Sequence, residues 1–146
     1  MLLLDVNICI YAMRRDAPEH AEVSGWLTPL LTAEEPVGIS DLVLSSLVRI
    51  TTNHRVYAEP SKPAQAMDFC RALREAPAAV PVRSGPRHWA IFERLVSLTR
   101  ARANDVTDAY LAALALEHSA TWVTRDQGFA RFPGLRTFDP LASHTD

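Results

Sequence analysis

Lysine is nearly missing from this chain. Of the 15 Lys+Arg side chains in 146 residues, Lys62 is the single lysine. No glycine-rich loop ends in Lys-Ser or Lys-Thr, so an NTPase-type phosphate cradle is excluded. Schiff-base chemistry would rest on Lys62 alone, in a proline-flanked loop. Cysteine is scarce too. Cys9 and Cys70 form no Cys-x-x-Cys pair, and both lie in apolar stretches. They read as small buried hydrophobes in a reducing compartment. The five histidines show no His-x-x-x-His or Glu-x-x-His spacing, which argues against a zinc site. No Gly-x-Ser-x-Gly elbow is present for acyl transfer. No run of about 18 apolar residues exists, so no membrane span is expected. The opening Met1-Leu2-Leu3-Leu4 is broken by Asp5 and has no basic leader, unlike a secretion signal. A cytoplasmic protein is the expectation.

What is present fits one globular domain over residues 1–146. Hydrophobic residues are 48% and charged residues 22%. A chain of this length buries roughly 70% of its unfolded surface and needs no disulfide or structural metal to fold. The formal net charge of −2 lacks the basic excess common among nucleic-acid binders. The cations are nevertheless almost all arginines, whose planar fork suits phosphate as well as carboxylate.

The apolar pattern alternates strands with helices. Leu2-Leu3-Leu4-Asp5-Val6 reads as a buried parallel strand. Asn7 is a candidate cap for a helix through Tyr11 and Ala12. Pro18 opens a second helix marked by Trp26, Leu27 and Leu30. Val37-Gly38-Ile39 is a short strand, and Ser40 caps a third helix to Ile50. Asn53 to Pro63 is a loop, and Pro63 to Ala76 a fourth helix. Ala79-Val80-Pro81-Val82 is an edge strand, because proline cannot donate to a ladder. A fifth helix starts at Gly85-Pro86. A sixth is capped by Thr107 or Asp105 and carries Tyr110, Leu111 and Leu114. Thr121 to Thr124 is a strand, Gln127 to Arg131 a short helix, and Leu135 to Phe138 a last strand. The class is α/β with a mostly parallel sheet.

Aspartates fall at telling places on this pattern. Asp5 ends the first strand, and Asp126 follows the strand at 121–124 by two residues. Ligands of open parallel sheets bind beyond the carboxyl ends of the strands. Asp108 lies in the first turn expected of the sixth helix, with Asp105 three residues before it. Read singly, each has an ordinary use as a helix cap or turn former. Read together, they form an oxygen-only group of the kind hard cations such as Mg²⁺ prefer. Such a group activates water and neutralises phosphoryl charge without lysine, histidine or cysteine.

Longer stretches carry a resemblance. Leu2-Leu3-Leu4-Asp5-Val6-Asn7-Ile8-Cys9-Ile10-Tyr11-Ala12 resembles the opening of PIN-domain proteins. Thr107-Asp108-Ala109-Tyr110-Leu111-Ala112-Ala113-Leu114-Ala115 looks like their third motif, and Thr124-Arg125-Asp126-Gln127-Gly128-Phe129-Ala130-Arg131-Phe132-Pro133-Gly134-Leu135 like their fourth. The stretch Val43 to Asn53, with Val48-Arg49-Ile50-Thr51-Thr52-Asn53, is similar to VapC toxins of mycobacterial type. The four motifs stand in order from Met1 to about Leu141.

The resemblance implies a three-layer α/β/α sandwich with a mostly parallel central sheet. It implies the toxin of a toxin–antitoxin pair, an endoribonuclease that uses Mg²⁺ or Mn²⁺ on tRNA or rRNA. A homodimer and a VapB-type antitoxin are the implied partners, beside RNA. Asp5, Asp108 and Asp126 would bind the metal and carry catalysis. Asn7 would support the Asp5 carboxylate, and Thr124 would add a hydroxyl at the site edge. Many relatives carry a glutamate three residues before the arginine matching Arg49, and Ser46 stands there instead. Asp105 ranks above Asp41 as the stand-in acid, because Asp41 is five positions from Ser46 and shares its helix face poorly. Arg14, Arg49, Arg55 and Arg125 are candidates to hold an RNA backbone, with salt bridging as their ordinary alternative. The competing function is a PIN module that binds RNA or a partner without cutting. A haloacid-dehalogenase-like phosphatase would also start from Asp5, but it needs a second aspartate where Asn7 stands and an active-site lysine.

Overall fold

A computed structural model describes residues 1–143. Five short strands form one parallel sheet: β1 (Leu2–Leu4), β2 (Val37–Ile39), β3 (Ala79–Pro81), β4 (Thr121–Val123) and β5 (Thr137–Phe138). Their spatial order is β3-β2-β1-β4-β5. The chain builds outward from β1 to β2 and β3, then returns to the other side of β1 with β4. The strand order therefore reverses between β1 and β4, where open α/β sheets form their ligand crevice. Leu2, Leu3 and Leu4 pair with Thr121, Trp122 and Val123 there.

Leu3, Leu4, Trp122 and Val123 are fully or almost fully buried, and so are Val37, Gly38 and Ile39. Neighbouring strand residues point to opposite faces, so helices cover both faces and the architecture is the expected α/β/α sandwich. The helices are α1 (Val6–Met13), α2 (His20–Leu30), α3 (Asp41–Thr51), α4 (Pro63–Glu75), α5 (His88–Thr99) and α6 (Asn104–Glu117), with a 3₁₀ turn at Gln127–Arg131. β3 is an edge strand that ends on Pro81, as its proline requires. Cys9 and Cys70 are free and buried, and burial pushes both thiols above their ordinary range.

Two caps differ from the sequence reading. Asp5, not Asn7, caps α1, and its side chain accepts from the Val6 N–H. Neither Thr107 nor Asp105 caps α6. That helix begins after Ala103, whose φ of 51° lies in the left-handed half of the map. A strained backbone turn, rather than a side chain, sets the start of α6. Asp105 consequently lies in the first turn and Asp108 one turn further in. α2 begins at His20, two residues after Pro18.

Glu117 closes the far end of α6. It is 7% exposed, and its carboxylate accepts the backbone N–H groups of Gly85 (2.6 Å) and Arg87 (2.9 Å), at the entrance to α5. A Cβ on Gly85 would come within 2.8 Å of Oε2, so glycine is what allows this approach. Burial opposes the charge, but the two N–H donors, with His118 and His88 nearby, outweigh it and hold the carboxyl below its ordinary range. Its contribution is therefore present above the ordinary glutamate range and fades as pH falls through the lowered one. Glu117→Gln is expected to cost about 2 kcal/mol in urea unfolding at pH 7, as lost charged hydrogen bonds do, and less in acid.

Candidate metal centre

The local chemistry of the β1–α1 junction fixes the first carboxylate. Asp5 follows the last strand residue, in extended conformation, and opens α1. Its Oδ1 accepts from the Val6 N–H at 2.6 Å, and its Oδ2 accepts from the Thr124 hydroxyl at 2.6 Å. Thr124 follows β4 on the neighbouring strand and is buried. The Thr124 Oγ1 in turn accepts from the Asp126 N–H at 2.9 Å and from the Asn7 amide at 3.3 Å. Asn7 accepts the Arg125 N–H at 3.4 Å. One hydroxyl thus ties together Asp5, Asn7 and the turn that bears Asp126. Asn7 supports Asp5 through Thr124 rather than directly.

Asp126 caps the 3₁₀ turn, with its Oδ1 accepting from the Gly128 N–H at 2.8 Å. Asp108 reaches the same area from α6. The three charges affect one another. Burial, first, and then the Asp108 and Asp126 charges push the Asp5 carboxyl up to about 6, against the Thr124 and Val6 hydrogen bonds that lower it. Burial also raises Asp108, and the Asp126 and Asp105 charges add to this, while Arg131 works the other way.

Arg131 is the residue that sequence reasoning missed. Its Nη2 lies 3.0 Å from Asp108 Oδ2 and 3.3 Å from Asp105 Oδ1. Its Nη1 donates to the Gly128 carbonyl, and its guanidinium lies 4.5 Å from the centre of the Phe132 ring. Its only sequence signal was a position five residues after Asp126, in a chain where arginines are common.

Other expected residues lie elsewhere. Asp41 is paired with Arg74, and Asp105 shares Arg131 with Asp108. Ser46 is half-buried and Arg49 exposed on α3, and neither side chain joins the network around Asp5. Arg14 is 8% exposed and stacks on Tyr57 at 3.9 Å. It also donates to Asp16, to the Glu59 carbonyl and to Ser61, so it anchors the loop before α4. Of the two uses expected for Arg14, the structure shows the salt-bridging one. Arg125 faces Asp139 at 3.4 Å and Glu19 at 3.9 Å. Arg55 is exposed.

The donor set suits a hard divalent cation, because it offers carboxylate and hydroxyl oxygens and no soft ligand. Burial raises the Asp5 and Asp108 carboxyls first and the neighbouring aspartate charges add to it, a repulsion that a bound cation would offset. Among the described residues, no three carboxylate, imidazole or thiol groups are drawn close enough to hold an ion as they stand. Arg131 holds Asp108 instead. No helix among these residues is long and apolar enough to cross a membrane.

Comparison with known proteins places the chain in a family. The family model described as PIN domain matches residues 2–135. Ribonuclease VapC43 of Mycobacterium tuberculosis is 48% identical over 145 residues, covering 99% of each chain. Ribonuclease VapC25 of the same species is 38% identical over 140 residues, covering 96% of this chain and 99% of that one. Among solved structures, VapBC2 from Rickettsia felis bound to a DNA fragment from its promoter superposes with a TM-score of 0.70 at 20% identity, covering 94% of this chain and 96% of that one. VapC20 of Mycobacterium tuberculosis, a sarcin-ricin loop cleaving toxin, superposes with a TM-score of 0.63 at 16% identity, covering 93% and 99%. At these identities the structural likeness is one of fold. With a family match over nearly the whole chain and a relative at almost half identity end to end, the chain belongs to the PIN-domain family, among the VapC ribonucleases.

Proposed function

We propose that the chain is a toxin endoribonuclease that hydrolyses RNA phosphodiesters with Mg²⁺ or Mn²⁺ held by Asp5, Asp108 and Asp126. The observation that supports this reading is that the end of β1, α6 and the turn after β4 bring Asp5, Asp108 and Asp126 within range of mutual charge repulsion, beside the point where the strand order reverses, without closing them into a ligand set. A bound divalent ion supplies a water of lowered pKa and a polarised phosphoryl oxygen. The protein's own part is to hold the carboxylates still. Both Asp5 oxygens are engaged by short hydrogen bonds, and Thr124 couples them to the Asp126 turn. Asn7 fixes the Thr124 hydroxyl from its other side. Asp105 extends the acidic face of α6 by one turn, as residues three apart do.

The proposed partners are RNA, a VapB-type antitoxin and a second copy of the chain. The antitoxin is supported by the VapBC complexes that share the fold. The second copy is supported by the exposed apolar side chains Trp89 and Leu98 on α5. Its place of action would be the cytoplasm, in keeping with two free thiols.

The test is cleavage of total cellular RNA by purified protein with Mg²⁺, Mn²⁺ or EDTA. Discrete metal-dependent fragments with 5′-phosphate and 3′-hydroxyl ends are expected. Asp108→Asn should lower the rate by about 10²-fold or more, by analogy with losing one electrostatic partner of a reacting phosphate. Fragments ending in 2′,3′-cyclic phosphate would sink the hydrolytic mechanism. Binding of RNA without cutting by folded protein would favour a binding module.

A further inference from the structure

We propose that Arg131 is an internal counter-cation that competes with the metal for Asp108, and that Asp105 retains it when Asp108 is given up. The proposal rests on the metal-dependent reading above. Arg131 is the one cationic side chain in contact with Asp108 or Asp105 among the described residues. It is not a loose surface arginine. One guanidinium nitrogen spans both aspartates, the other donates to the Gly128 carbonyl, and the plane lies against Phe132. Only about a third of the side chain is exposed.

The arrangement has the parts an exchange needs. Asp108 points to the shared site, whereas Asp105 stands one turn away on α6 and is 60% exposed. A divalent ion on Asp108 repels a guanidinium at 3.0 Å from the same oxygen. Arg131 then loses one partner of four and keeps Asp105, the Gly128 carbonyl and the Phe132 ring. It need not be expelled into water to make room. Its tether also reaches Asp126. A Cβ placed on Gly128 would lie 2.8 Å from Arg131 Nη1 and 2.9 Å from Asp126 Oδ1, so the two side chains flank that glycine. Movement of Arg131 is thereby felt on the turn that carries the third aspartate.

Competition predicts a direction that damage does not. Loss of a merely structural contact loosens the site and weakens metal binding. Loss of a competitor tightens it. Mn²⁺ binding to RNA-free protein would be measured by calorimetry and by electron paramagnetic resonance, for the parent, Arg131→Gln and Arg131→Lys. Arg131→Gln should bind Mn²⁺ about five- to tenfold more tightly, the scale of a partly exposed ion pair plus the relieved repulsion. Arg131→Lys keeps the charge but has no second nitrogen to hold the Gly128 carbonyl while it bridges the two carboxylates, so a smaller tightening is expected. It also serves if the glutamine variant fails to fold. Binding that is unchanged or weaker in the folded variants overturns the proposal and leaves the metal-dependent reading intact. No Mn²⁺ binding by any of the three overturns both. Binding by the variants but not by the parent supports the exchange in its strongest form.

Discussion

Asp5→Asn is expected to abolish ribonuclease activity and, at the same time, to make the metal-free protein more stable at pH 7.5. The first effect follows from its place at the centre of the carboxylate group. The second follows from burial. The Asp5 carboxyl lies at about 6 in the folded protein, against an ordinary 3.8. Between these values the folded chain holds a proton that the unfolded chain has released. Stability therefore falls as pH rises from about 4 to 6, and the deficit is complete above that, at about 3 kcal/mol for a shift of this size. Asparagine removes the charge but presents an N–H₂ to a Thr124 oxygen that already accepts two donors. That mismatch costs about 1–2 kcal/mol. The net gain of about 1–2 kcal/mol should raise Tm by roughly 3–5 °C in EDTA. The advantage should shrink below pH 6, vanish near pH 5 and reverse near pH 4, where the parent carboxyl is itself neutral and only the asparagine mismatch remains. Comparing the two proteins cancels Glu117, which titrates alike in both. A lower Tm for Asp5→Asn at pH 7.5 would show that burial is not what raises the carboxyl.

Phe129→Ala is expected to be among the most destabilising single changes, because it joins the core to the site. Phe129 is 2% exposed, with ring centres 5.3 Å from Trp122 and 5.8 Å from Phe132. Trp122 belongs to β4, and Phe132 ends the turn that Asp126 opens. This three-ring cluster of tilted contacts pins the segment 126–132 to the sheet. Removing the middle ring leaves a cavity and should cost about 3–5 kcal/mol. The melting temperature should fall by roughly 10 °C or more. Asp126 and Arg131 lie at the two ends of the released turn, so metal affinity should weaken as well. Phe129→Leu fills most of the volume and should recover most of both losses. A variant that loses stability but keeps full Mn²⁺ affinity would show that the turn is held by Thr124 and Gly128 alone.

The sheet and the three principal aspartates were readable from the chain because both rest on local pattern. Leu2-Leu3-Leu4 and Thr121-Trp122-Val123 are continuous apolar or β-branched runs, and such runs become buried parallel strands. Asp5 and Asp126 then fall at strand ends by counting. The helix starts were less legible. Ala103 begins α6 through a left-handed backbone angle, and an alanine carries no signal of that. The arginines were the least legible. Arg14 and Arg131 are the same residue type in similarly polar stretches. The first is buried against Tyr57, 43 positions along the chain, and the second spans two aspartates more than 20 positions earlier. Partner choice over such separations depends on tertiary placement, which no local pattern encodes. Ser46 remains without a replacement acid on α3, and Asp105 enters the site area by way of Arg131 instead.

The order in which the site is assembled differs from the order in which it is made. Asp5 is made well before its partner hydroxyl at Thr124, which comes 119 positions later. The central strand β1 has β2 on one side early in synthesis, and its other edge stays unpaired until Thr121–Val123 arrive. At about 5–20 residues per second, several seconds separate the two events. During that interval the nascent chain has Asp5 at the end of β1 without the β4 turn that carries Asp126 beside it. A growing copy of this protein thus holds an incomplete set of aspartates until β4 and the turn after it close the other side of β1.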